Sequence, residues 1–149
     1  MDFRTIATNL ATAIGTITVG DDTATATARL PSSVGKLALL VYPPETDLSF
    51  LMGGPHLNAH LLFPVRLLRD PLDVPARTDA LLDWMTALWP KPQANYDLNV
   101  VGVIETQATS IRGQIDGHEY SSVDGTFPKY DLVEMMVDVH VFELATFTP

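Results

Sequence analysis

Tyr130 to Glu143 reads YDLVEMMVDVHVFE, and this run constrains the fold more than any other part of the chain. Val133, Met135, Val137, Val139 and Val141 hold alternate positions. Glu134, Asp138 and His140 fall between them, together with Met136 and Phe142. Strand side chains alternate between faces, so the pattern predicts one strand with an apolar face and a mostly polar face. The apolar face is mainly β-branched, which suits a pleated surface. A run of this length would span about 45 Å, well beyond the usual strand. Either a bulge bends it, or its end reaches past the domain. Met136 and Phe142 point away from the first apolar face. A second partner there, a helix or another subunit, would account for them, and so would simple tolerance of two exposed apolar side chains.

The rest of the chain supplies partners for that strand. Asp2 is placed to cap a helix running to Ile14, with Phe3, Ile6, Ala7, Leu10 and Ile14 on one face and Gly15 as its stop. Thr16 to Val19 is a short β-rich piece, followed by a turn at Gly20-Asp21-Asp22. Thr23 to Leu30, TATATARL, alternates as a strand would, and Pro31-Ser32-Ser33 breaks it. Lys36 to Tyr42 is a buried-strand candidate ended by Pro43-Pro44, and Glu45 to Asn58 reads as a loop. Ala59 to Arg69, AHLLFPVRLLR, is strand-like. Pro64 has no N–H, which predicts an edge position or a bulge there. Asp73 to Leu88 is a second helix with Pro75 in its first turn. Its expected stripe is Thr78, Leu81, Leu82, Met85 and Leu88 or Trp89, and Pro90 and Pro92 end it. Leu98 to Gln107 returns to strand, and Ile111 to Tyr120 suggests a hairpin about Asp116-Gly117. The order helix, strands, helix, strands predicts one α+β domain, with two main helices on one face of a mainly antiparallel sheet.

Size and charge narrow the function classes. At 149 residues, 46% of them hydrophobic, the chain is long enough to bury a real core as one domain. No run of about 18 apolar residues exists, so no membrane span is expected. MDFRTIATNL has no basic region followed by an apolar block, so no signal peptide is expected. With no cysteine, disulfides and thiolate metal sites are excluded. Net charge is −9 and uneven: residues 95–149 hold nine acids against only Arg112 and Lys129. That balance argues against gripping a nucleic-acid backbone.

No catalytic constellation is legible. His56 and His60 are four apart in PHLNAH, a metal-binding spacing on a helix, but Gly53-Gly54-Pro55 disfavours a helix there. His118 and His140 have no neighbours that complete a ligand pattern. There is no GxSxG, GxxxxGK[ST] or GxGxxG. Asp79 and Asp83 share a helix surface and repel slightly. Arg66, Arg69 and Arg77 cluster around the 59–69 strand and the second helix, free to meet a neighbour's acidic surface or to be solvated. No catalytic residue, metal or cofactor is therefore expected.

The order of these pieces is familiar. LALLVYPPE, a long loop, FPVRLLRDPLDVPARTDALLDW, then a strand, a hairpin with Gly117 to Tyr120, and the closing alternating strand follow in sequence. The arrangement resembles the tail terminator, or tail-completion, proteins of long-tailed bacteriophages, particularly those of actinobacterial phages. It covers the chain from the first helix to residue 143 as a pattern of elements and lengths. The TATATA stretch and residues 43–58 match nothing specific.

The resemblance implies a virion protein assembled in the host cytoplasm. Such proteins form a ring, typically a hexamer, at the head-proximal end of the tail tube. The ring ends tube polymerisation and joins the tail to neck or head-completion proteins, and DNA passes through its lumen unbound. It implies no enzyme activity. On this reading Leu48, Phe50, Leu51 and Met52, apolar residues in a loop at 43–58, form an arm over the next subunit, with Arg66 and Arg69 beside it. Alternatively the arm folds back on its own domain. Glu134, Asp138 and Asp124 would line an acidic channel, or else face a basic patch on a neck protein. A head-closure connector of the same virion is the nearest alternative. A small α+β ligand-binding or enzymatic domain is the alternative of another class.

Overall fold

The computed structural model of the protein describes residues 2–50, 56–71, 76–120 and 129–144. In chain order these form α1 (Phe3–Ile14), β1 (Thr16–Val19), β2 (Asp22–Thr27), β3 (Leu37–Val41), β4 (Glu45–Phe50) and β5 (His56–Arg69). Then come α2 (Arg77–Leu88), a 3-10 helix (Pro92–Asn95), β6 (Val103–Glu119) and β7 (Lys129–Leu144). The strands make one seven-stranded sheet in the order β1-β2-β3-β5-β7-β6, with β4 also on β5. All pairings are antiparallel except β2 with β3. The α+β expectation therefore holds, with both helices on one face. α2 touches β1 as well as β6 and β7, strands from opposite ends of the order, so the sheet curls around the helices.

β7 takes the central position its alternation demands. It pairs with β5 in unbroken register from His56↔Leu144 to Arg69↔Asp131, and with β6 on its other side. Val133, Met135, Val137, Val139 and Val141 are all buried, opposite Leu67, Val65, Phe63, Leu61 and Ala59. These odd positions meet Ile6, Leu10 and Ile14 of α1 and Leu81, Trp84 and Leu88 of α2 in one core.

Asp2 caps α1 as expected, its carboxylate accepting from the Arg4 and Thr5 N–H groups at 3.0 and 3.2 Å. Gly15 closes the helix at φ 69°, a value that favours glycine. Phe3 departs from the expected stripe and is exposed, because the buried face is centred on Ile6, Leu10 and Ile14. The TATATA run works as a hairpin with β1. Ala24 packs inward opposite Ile17, while Thr16–Thr25 and Thr18–Thr23 hydroxyl pairs line the outer face at 2.8 and 3.0 Å. The strand ends at Thr27, short of Leu30.

Five local expectations are corrected. Residues 45–50 are strand β4, antiparallel to β5, where a loop was expected. Pro64 lies in a central strand without a bulge against β7. Its carbonyl accepts from the Tyr42 N–H, so its missing N–H also faces the side where β3 ends and β4 begins. The ladder changes partners there, and no bond is lost. The Asp116-Gly117 hairpin is instead an irregularity within one continuous β6, between Gln114 and His118, with Asp116 at φ 51°. The expected strand at Leu98 begins only at Val103, since Leu98 and Asn99 adopt positive φ. In α2, Trp84 is buried while Leu82 and Trp89 are exposed, which rotates the stripe to Leu81, Trp84 and Leu88. The expected helix start at Asp73 lies outside the described residues.

Candidate functional site

The even positions of β5 and β7 form the second face of the sheet, opposite both helices. At one end Leu40, Leu68, Tyr130 and Leu132 make a small second cluster. The β2–β3 connection covers it, because the Tyr130 hydroxyl donates to the Val34 carbonyl at 2.7 Å and the Tyr120 hydroxyl to the Pro31 carbonyl. Burial raises the pKa of both phenols, and the charge of Asp70 adds to the effect at Tyr130, that of Tyr42 at Tyr120. Further along lie Leu62, Pro64 and Met136, each half-buried.

Register sets two polar groups on this face. The first is built on Arg66↔Glu134, with Arg112 opposite Glu134 from β6. Arg66 Nε donates to Glu134 Oε2 at 2.6 Å and Arg112 Nε to Oε1 at 3.1 Å. The Arg66 guanidinium sits 4.4 Å over the Tyr42 ring, which meets His118 edge-on. Burial acts to raise the Glu134 pKa, but hydrogen bonds and charge from the two arginines outweigh it and hold the carboxyl below its ordinary range. His118 is pushed down by burial and then by the Arg66 charge, against a smaller opposing effect of Glu134.

The second group centres on His60↔His140. The rings stack with centroids 4.2 Å apart and planes 11° from parallel. His60 Nδ1 lies 3.1 Å from both Asp138 oxygens, and His140 Nε2 donates to Asn58 Oδ1. A nitrogen facing a carboxylate must carry a proton, so neutral His60 keeps its Nε2 as an acceptor. No hydroxyl among the described residues bonds to either ring, and no group of three His, Asp or Glu is arranged to hold a metal among them. Sequence reading missed this cluster, because only the 80-residue register between β5 and β7 brings it together.

A third polar group lies on the helix side. Asp131 is 2% exposed and takes both Arg77 Nε, at 2.9 Å, and the Asp116 N–H, also at 2.9 Å. Arg77 also reaches Asp116 at 2.8 Å. Burial works to raise the Asp131 pKa, but the Arg77 and Asp116 hydrogen bonds together depress it, while Arg77 is raised by Asp131 first.

The expected site residues separate on this map. Arg66 and Arg77 are consumed by carboxylates of their own chain, and Arg69 faces Asp22 at 3.6 Å. Glu134 and Asp138 share the second face of the sheet, where Arg66 and Arg112 pair with Glu134 and His60 meets Asp138. Glu45 and Glu105 fall on the same face by register, opposite Leu62 and His140, and are exposed. Leu48 and Phe50 lie in β4 opposite Ala59 and Leu57. Leu51, Met52 and Asp124 fall outside the described residues. His56 and His60 lie on a strand, where the metal-binding helical spacing has no meaning. Neither a scan against protein-family models nor a search of curated proteins finds a match for the chain.

Proposed function

We propose that the chain is a structural virion protein of a long-tailed phage, a tail terminator that assembles as a ring at the head-proximal end of the tail tube. The order of elements supports this reading: a proline-ended strand, the FPVRLL strand, an amphipathic helix and a closing alternating strand. The observation that carries the assembly part is an apolar surplus on the surface. Trp89, Tyr96, Val101 and Ile104 are all exposed within one stretch of chain, and Val101 is 98% exposed. Leu62 and Met136 add half-buried apolar surface on the face without helices. Apolar side chains left outside in this way are available to a contact with another copy. A heterologous contact between copies closes into a ring when its rotation allows. The tube protein and a neck or head-completion protein are the flanking partners, and DNA crosses the lumen without being held.

Electron microscopy of the protein, alone and with its tail-tube protein, tests the reading. Six-membered rings seated on one end of the tube are expected. Rings that bind the head-side connector and ignore the tube would favour the neck reading. A protein that stays monomeric beside polymerised tubes refutes both.

A further inference from the structure

The outer edge of β6 is a second feature, and it stands apart from the ring reading. β6 ends the strand order, so no strand among the described residues pairs with its far side. The Gln93 side chain, from the 3-10 helix, accepts from the Ala108 N–H at 3.1 Å and caps the edge there. Past Ala108 the edge runs on to Gln114 without a further such cap among the described residues; beyond it the irregularity before His118 begins, and the Asp116 N–H turns to Asp131. Beside it a slot of about 260 Å³ opens between α2 and β6, lined by Thr78, Leu81, Leu82, Met85, Gly113 and Ile115. Gly113 keeps it open: a Cβ there would stand 3.2 Å from Met85 Sδ. Leu82 and Ile115 at its rim are 53% and 41% exposed.

The charge beside the slot has one sign. Arg77 and Arg112, the bases on these two elements, are held by Asp131, Asp116 and Glu134. Asp79 and Asp83, exposed on α2 next to Leu82, have no ion pair among the described residues. A free strand edge offers main-chain bonds to an extended segment, and a pocket beside it selects a side chain. We infer that β6 docks an extended segment of a partner protein, with an apolar residue in the slot and basic residues on either side.

A fluorescent peptide KVKLKVK, its equally charged counterpart KPKLKPK, and anisotropy titration test this. KVKLKVK is expected to bind more weakly as salt rises, and KPKLKPK at least about tenfold more weakly than KVKLKVK, since proline cannot donate to the edge. Leu82→Ser with Ile115→Ser, both at exposed sites, is expected to weaken KVKLKVK about tenfold with an unchanged Tm. Equal binding of the two peptides would mean charge alone and overturns the inference. So does an unchanged affinity in the double variant, or no binding at about 1 mM peptide. Sedimentation that shows a dimer which KVKLKVK fails to disperse gives the edge to a second copy and overturns it as well.

Discussion

Asp131 is a carboxylate in the interior, and it is tolerated because Arg77 and a backbone N–H satisfy it. Asp131→Ala leaves the Arg77 guanidinium with Asp116 alone and should lower the urea midpoint. Asp131 and Glu134 both bind protons more weakly folded than unfolded. Their stabilisation is therefore complete above the ordinary carboxylate range and is lost as pH falls through the depressed values. Tm should stay level down to about pH 5 and fall below about pH 4. A wild-type Tm that does not fall in acid would contradict the assignment. Thr106 is buried with no partner for its hydroxyl among the described residues. Thr106→Val should thus raise stability by about 1 kcal/mol in chemical denaturation. At this scale the sequence was only partly legible. Asp116-Gly117 was read as a hairpin turn, but the left-handed conformation that Asp116 adopts serves a turn or a bulge alike. Asp131, reached by Arg77 from α2, decides which. The His60–His140 stack carries no local signal at all.

Elements were easier to read than their faces. β7 was legible because alternation over so many residues admits one structure. Val137→Asp should unfold the domain, since an unpaired charge in that core costs several kcal/mol; retained circular dichroism and Tm would place Val137 on the surface. α1 was legible through Asp2, Ile6, Leu10 and Gly15. α2 was not fully so, because Leu81, Leu82, Trp84, Met85, Leu88 and Trp89 leave several apolar stripes open on one helix. The sheet chose Trp84. Trp84→Ala should cost about 3–5 kcal/mol, and Leu82→Ala less than about 0.5 kcal/mol. The reverse order in denaturation would restore the other stripe. Pro64 was read correctly as a missing donor, but a gap made by two successive partners on one flank is a long-range property that local pattern does not carry.

For the whole molecule, the net charge of −9 works against holding phosphate, and Arg66, Arg69, Arg77 and Arg112 already face carboxylates of their own chain. Duplex DNA should show no salt-sensitive binding to the protein in a mobility-shift assay at moderate ionic strength. A measurable complex that dissolves with added salt would reverse this. Fold class was legible because strand and helix signals alternate in an order with few solutions. Exposed apolar surface was not, since Val101 or Ile115 looks in sequence like any core residue until the fold leaves it outside.

The position of β7 also sets an order of events in time. Its ladder with β5 joins residues as far apart as His56 and Leu144, whereas its ladder with β6 starts at Glu119↔Lys129. Closing the short loop costs far less chain entropy than closing the long one. β6 and β7 should therefore meet first and form a template on which β5 later settles, at the millisecond-to-second pace of non-local sheets. On a ribosome, β1 to β6 emerge before the strand that fills the middle of their sheet. Until β7 follows, Phe63, Val65 and Leu67 lack the strand that pairs alongside them, and that edge of β5 stays open.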